Sequence, residues 1–171
     1  EQAVKVFGSI DVVVNNAGIA NYDLLMDLKV SEWRNIMSTN LDSVFYMCRE
    51  SIPYMLDKGG SIINISSVWG VYGAACEVAY SASKAGMIGL TKALAQEIGN
   101  SKITVNCIAA GAINTDMNKC HSKETLAEMK EKTPLGRIGE PQEVADTAVF
   151  LASEKANFIT GQVIEVSGGF R

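Results

Sequence analysis

The chain is poor in several things, and each scarcity removes a class of function. It has one histidine and four cysteines among 171 residues. Cys48, Cys76, Cys107 and Cys120 stand far apart, so no metal-ligand spacing exists; His121 beside Cys120 lacks a third ligand, and no metal site is expected. The same scatter favours reduced thiols over a disulfide framework. There is no excess of positive charge: 15 Lys+Arg against 19 Asp+Glu give a net charge of -4. Nor are the basic residues clustered, so the electrostatic footprint of a nucleic-acid binder is missing. No run of eighteen apolar residues and no basic-then-apolar leader occurs, so neither a membrane-spanning helix nor a signal peptide is expected, and the cytoplasm is the expected compartment. With three prolines and no repeat, linker or low-complexity tract, residues 1–171 read as one domain.

What is present is a core-forming composition, 47% apolar, arranged in alternation. Residues 1–7 read as the tail of an amphipathic helix stopped at Gly8. Ile10 to Val14 is a short β-branched run, the pattern of a strand buried on both faces. A helical stretch follows from Ser31, as cap, to Leu56, with Pro53 kinking its last turns. Ser61 to Ile65 and Ile103 to Ile108 are further buried strands, separated by a helix from Glu77 to Ile98. Residues 109–139 are polar and irregular, with one helix at Lys123 to Lys132, and read as a lid over a substrate. Pro141 opens a last helix, and Gln162 to Val166 is a last strand. Short buried strands joined by helices require parallel pairing, hence an α/β, doubly wound, Rossmann-like sheet whose ligand crevice lies at the carboxyl ends of the strands.

Those strand ends carry Asn15-Asn16-Ala17-Gly18, Ser66-Ser67 and Ala109-Ala110-Gly111. Turns are rich in such residues anyway. The decisive stretch is Tyr80-Ser81-Ala82-Ser83-Lys84, because residues four apart share a helix face. A phenol titrates near pH 10, and a nearby ammonium pulls that value down toward the range of a working general acid. Ser67, thirteen residues earlier, stands where its hydroxyl reaches the same substrate oxygen.

Together NNAG at 15–18, TNL at 39–41, NISS at 64–67, YSASK at 80–84, GAINTDM at 111–117, PLGRIGEP at 134–141 and FITGQVIEVSGG at 158–169 resemble the short-chain dehydrogenases/reductases, of the 3-oxoacyl-[acyl-carrier-protein] reductase type. The resemblance implies a ketone reductase of fatty acid biosynthesis. It assigns Tyr80 as proton donor, Ser67 as support of the oxygen, and Lys84 as tuner of Tyr80 and holder of the cofactor ribose. Asn40 completes a tetrad by shaping its helix. Asn16, Ala17, Gly18 and Gly111 would lie against the cofactor, and Ile113 and Thr115 would hold the nicotinamide carboxamide. NADP(H) is the implied cofactor, with NAD(H) as the alternative. An acyl-carrier-protein-bound ketone is the implied partner, with no nucleic acid or membrane. The small residues Ala79, Ala82, Ala85, Gly86, Gly89 and Ala93 would pair subunits into a homodimer or homotetramer, unless they pack on the protein's own sheet.

Two positions depart from the family pattern: Ala110 replaces a common proline and Ser167 a common aspartate. No G-x-x-x-G-x-G or G-x-G-x-x-G turn occurs, so the cradle for a pyrophosphate is missing. The expectation is a sheet truncated at its amino-terminal side, a polypeptide that alone binds cofactor weakly or not at all, and no determinant for NAD over NADP. A rival substrate follows from Trp69 and Cys76-Glu77, which resemble a reductase of the 5-aminopentanone group on modified elongation factor P; Glu77 would bind the amine. A rival of another class is a non-catalytic oligomerising remnant that has lost its cofactor half.

Overall fold

The structure is a computed structural model in which residues 2–119 and 121–171 are described, apart from the Lys119 side chain. Helices α1 (Gln2–Phe7), α2 (Val30–Met37), α3 (Ser43–Ser51), α4 (Trp69–Tyr72), α5 (Val78–Ile98), α6 (Asp116–Lys119), α7 (Lys123–Lys132) and α8 (Pro141–Ala152) alternate with strands β1 (Val12–Asn15), β2 (Gly60–Ser67), β3 (Ile103–Ala110) and β4 (Val163–Val166). The strands form one sheet in the order β1-β2-β3-β4, parallel throughout, with Val13 beside Ile62, Ile62 beside Val105 and Ile108 beside Ile164. All four carboxyl ends therefore reach the same edge.

Successive strand residues point to opposite faces. One face carries Val13, Ile62 and Val105, which pack with Val44 and Cys48 of α3 and Met87, Ala95 and Ile98 of α5. The other carries Ile63, Ile108 and Ile164, which pack with Val144, Ala148 and Leu151 of α8. Burying each such side chain is worth about 1.5–3 kcal/mol, so both layers are needed. The crossovers through α2/α3 and α5 step along the sheet in the same direction as the one through α8, yet lie on the opposite face. The β3-α8-β4 crossover is therefore of opposite hand to the two before it, a departure from the usual rule. The long connection 111–139, routed over the sheet's carboxyl edge, makes this possible.

Two sequence expectations are corrected here. β1 is not buried on both faces: Val13 and Asn15 are buried, whereas Val12 and Val14 are 43% and 49% exposed. They lie on the α8 face, where α8 contacts β2, β3 and β4 and β1 is the sheet edge. The stretch 31–56 is not one helix. It begins at Val30, where Glu32 accepts from the Lys29 N–H at 3.2 Å. It is interrupted by a π-helical turn over Ser38–Asp42 and ends as a 3₁₀ turn holding Pro53. The main break is at Asn40, not at the proline.

α5 spans 21 residues despite Gly86 and Gly89, because its alanines, Leu90, Leu94, Met87 and lysines favour helix and one face packs on the sheet, with Gly99 at its end. Its buried positions, Ala79, Tyr80, Ser83, Lys84, Met87, Thr91, Ala95 and Ile98, recur at three- and four-residue spacing, a single stripe against the sheet. Gly86 lies tight against Leu41, where a Cβ would come within 2.7 Å of Cδ2. Ala85, Gly89 and Ala93 face outward.

Candidate active site

The four expected residues meet at the carboxyl edge. Ser67 is the last residue of β2, Tyr80 and Lys84 lie in the first two turns of α5, and Asn40 sits in the π-helical turn. All are buried: 6%, 8%, 4% and 0% exposed respectively. The Lys84 ammonium stands 5.7 Å from the centroid of the Tyr80 ring and donates to the Ile65 carbonyl at 2.8 Å. Burial lowers its pKa to about 8, against a smaller upward pull from Cys107; at neutral pH it remains largely charged.

Tyr80 does not behave as the sequence argument expected. Burial raises its pKa, the hydrogen bond with Ser67 lowers it, and the neighbouring Glu77 carboxylate raises it. In this geometry burial outweighs any help from Lys84, which faces the ring and directs its N–H to Ile65. Ser67 is the group that counters the burial, and its Oγ also accepts from the Trp69 N–H at 3.1 Å.

Asn40 explains why a helix tolerates a π turn there. Its Oδ1 accepts from Ile19 N at 2.8 Å, while its Nδ2 donates to Ile19 O at 2.9 Å and to Ser83 Oγ at 3.0 Å. One amide thus joins the loop after β1 to α5, and Ser83 passes the link on by donating to the Tyr80 carbonyl at 2.7 Å. Single π turns in helices commonly mark functional sites. Gly18 lies at the same point: a Cβ there would meet Lys84 Nζ at 3.3 Å and Asn40 Oδ1 at 3.5 Å, so only glycine keeps the space beside the ammonium open.

A family model described as enoyl-(acyl carrier protein) reductase matches residues 1–171. The chain is 48% identical over 164 residues to the 3-oxoacyl-[acyl-carrier-protein] reductase FabG of Chlamydia muridarum, covering 95% of this chain and 66% of the relative. It is 46% identical over 170 residues to the FabG of Staphylococcus aureus strain Mu50, covering 99% and 69%. A solved structure of a putative gluconate dehydrogenase from Agrobacterium tumefaciens matches with TM-score 0.94 and 36% identity, covering 98% of this chain and 68% of that one. The chain belongs to the short-chain dehydrogenase/reductase family. It spans about two thirds of the length of the curated relatives it matches.

Family members use a nicotinamide cofactor, and the residues present fit part of one. The Lys84 ammonium, the open space at Gly18 and the exposed Asn16 and Ala17 suit the ribose and nicotinamide side. The other assigned positions fit less simply. Gly111 donates its N–H to Val166 O at 3.0 Å, and a Cβ on it would come within 2.7 Å of Ser167 Cα; its lack of a side chain serves packing between β3 and the segment after β4. Ile113 is buried, and its carbonyl already accepts from Thr115 N at 2.8 Å and Asn118 Nδ2 at 2.7 Å. A carboxamide would have to share or displace these bonds. Thr115 Oγ1 makes only a long 3.5 Å contact to the same carbonyl.

A cleft of about 300 Å³ lies away from Tyr80. It lies between α7 and the Ile113 loop, lined by Asn114, Asn118, Leu126, Lys130 and Ile138, within the region read as a lid. Among the described residues no cluster of three metal-ligating side chains exists, Cys48, Cys76 and Cys107 are free thiols, and no helix is long and apolar enough to cross a membrane. Cys120 of the Cys120-His121 pair lies outside the described residues.

Sequence reasoning missed the support beneath the site. Asn15 Nδ2 donates to Asn64 Oδ1 at 2.8 Å, Asn64 Nδ2 to Thr91 Oγ1 at 2.8 Å, and Thr91 to Met87 O at 2.9 Å. Ser66 Oγ donates to Lys84 O at 2.9 Å. This buried chain fixes β1, β2 and α5 in one arrangement. The signal was visible: amides inside apolar strand runs need partners, and at strand positions 15 and 64 they face the α5 side.

Proposed function

We propose that this chain carries the catalytic and nicotinamide side of an NADP(H)-dependent reductase that turns a ketone into a secondary alcohol, the substrate being a 3-oxoacyl group on acyl carrier protein. The observation that carries this reading is the convergence of buried Ser67, Tyr80, Lys84 and Asn40 at one strand edge beside the open space at Gly18. Bound there, the reduced nicotinamide supplies the hydride. Tyr80 donates a proton to the substrate oxygen, and Ser67 hydrogen-bonds the same oxygen as negative charge grows on it. Lys84 holds a positive charge below that oxygen, and Asn40 keeps the loop after β1 pinned to α5. Two hydroxyls meeting at one oxygen suit a carbonyl better than a carbon-carbon double bond, which favours the relatives' 3-oxoacyl name over the enoyl name of the family model.

NADP(H) rests on the type of reductase, since residues 1–171 contain no glycine-rich turn and no side chain that selects the adenosine phosphate. The exposed Phe45, Tyr46 and Met47 of α3 and the outward Ala85, Gly89 and Ala93 of α5 support pairing of subunits through these helices into a homodimer or homotetramer. Of the stretch 109–139, residues 109 and 110 close β3 and residues 111–139 act as the substrate lid, and the cytoplasm remains the proposed compartment.

A second reading has its own observation. Glu77, one turn before Tyr80, is half-buried, its carboxyl pushed up by that burial, and it makes no ion pair among the described residues. A cationic substrate, such as an amino-ketone carried on a protein lysine, would supply the missing partner. Rates of NADPH and NADH oxidation by the holoenzyme with an acetoacetyl thioester and with a 5-amino-2-pentanone side the readings apart. The first reading predicts a kcat/KM at least about tenfold higher for the thioester, and a reversed preference that disappears in Glu77→Gln would replace it with the second. No turnover of either ketone would leave the non-catalytic remnant.

A further inference from the structure

We propose that Phe170 is a positioning residue: with Arg171 it clamps the one-turn helix α4, and α4 in turn sets Ser67 against the backbone of Lys84. The inference rests on the reading of Ser67 and Lys84 as reductase residues.

α4 touches both halves of the site. Its first residue, Trp69, donates its N–H to Ser67 Oγ at 3.1 Å, and Val68 just before it donates to Ala110 O at 2.9 Å. Gly70 lies directly on α5: a Cβ there would come within 2.7 Å of the Lys84 carbonyl carbon and 2.9 Å of Lys84 Cβ. Beside the direct Ser66–Lys84 bond between β2 and α5, the seating of α4 therefore governs how the Ser67 hydroxyl is held over the Lys84 backbone. A helix of four residues has too few internal hydrogen bonds to hold itself, so its seating must come from outside.

The segment after β4 supplies it. The Phe170 ring lies against Trp69 with centroids 5.3 Å apart and planes at 58°, the tilted arrangement that aromatic pairs favour. One residue on, the Arg171 guanidinium stands 5.5 Å from the Tyr72 ring, whose hydroxyl donates to Glu165 of β4 at 2.9 Å. Trp69 and Tyr72 are three apart and share one face of α4. Phe170 itself is 4% exposed, in a cluster with Val68 and Ala112, and Met129 of α7 and Ile138 pack against that cluster. Its N–H is fixed to Ser167 O at 3.1 Å. One ring thus supports the turn after Ser67, the loop before Ile113 and the underside of the lid.

The two tryptophans, Trp33 and Trp69, give a direct test. Labelling the full chain with [¹⁵N]tryptophan yields two backbone amides, one of which is the donor to Ser67 Oγ. In Phe170→Ala the Trp69 amide should exchange with solvent at least about tenfold faster while Trp33 stays within about twofold. In the holoenzyme, kcat for ketone reduction should fall about tenfold with KM changed less than about threefold. Phe170→Leu, which keeps the bulk, should restore all three values to within about threefold of wild type. If Phe170→Ala does not fold, Arg171→Ala replaces it, with the same direction expected at the Trp69 amide. An unmoved Trp69 amide, or an equal rise at Trp33 and Trp69, overturns the proposal. A wild-type holoenzyme that reduces no ketone overturns the functional reading, while the amide data still decide whether the clamp exists.

Discussion

The pillar of β2, α5 and β3 and the lid over 111–139 sit at the same edge of one sheet and are built in opposite ways. In the pillar Ile62, Asn64 and Ser66 of β2 and Ile103, Val105 and Cys107 of β3 are buried on the α5 face, and Asn64 is joined both to Thr91 and to Asn15 of β1. In the lid, α7 has no buried residue, and its firmest polar link is the exposed pair of Arg137 with Glu143 at 2.6 Å. The proton-handling groups stand on the buried, hydrogen-bonded part, and a cleft of about 300 Å³ belongs to the exposed part. This division lets the substrate pocket vary while the chemistry stays in place.

Changes in the pillar should cost more than changes on the exposed side of the lid. The largest loss is expected for Lys84→Met, about two to three powers of ten in ketone reduction. Its stability should move the other way. Because burial holds the Lys84 pKa near 8, below its unfolded value, the folded state binds fewer protons between that pH and about 10.4, so stability from this group rises as pH rises through that window. Below pH 8 the buried charge opposes folding, and the Tm of Lys84→Met at pH 7 should be no lower than that of wild type, as a thermal melt would show. A marked drop in Tm would make Lys84 a structural residue.

Next comes Asn40→Ala, which leaves Ile19 N, Ile19 O and Ser83 Oγ without the amide they share. The expected cost is about 1–3 kcal/mol in a urea unfolding curve, together with at least about a tenfold loss of kcat. Gly70→Val should be milder in rate but similar in stability, about 1–3 kcal/mol from overpacking against Lys84. The smallest effect belongs to Arg137→Ala in the lid, a Tm change of no more than about 2 °C at pH 7. The pair holds the Glu143 carboxyl down at about 2, so its contribution is lost only as pH falls toward that value, and no change should appear above about pH 5. A large loss of stability in Arg137→Ala would erase the contrast between the two regions.

Much of this was readable in the residues. Lys123–Lys132 forms the expected helix, with Ser122 capping it by accepting from Thr125 N at 3.2 Å. Tyr80 and Lys84 share a face because helical spacing demands it. What could not be read depends on partners far along the chain. The π turn at Asn40 exists because Ile19 and Ser83 hold its side chain, and no local propensity encodes that. β1 reads as fully buried because Val12, Val13 and Val14 are all apolar, yet its position at the sheet edge decides which of them are covered. The Tyr80 pKa depends on depth of burial, which composition does not reveal, and Trp69 meets Phe170 across about a hundred residues of sequence.

The central claim is that Tyr80 is the proton donor on a rigid pillar, and Tyr80→Phe tests it most directly. Turnover of a 3-oxoacyl thioester with NADPH by the holoenzyme should fall by at least about two powers of ten, with the Tm within about 2 °C of wild type. Retention of more than about a tenth of the rate would contradict the account.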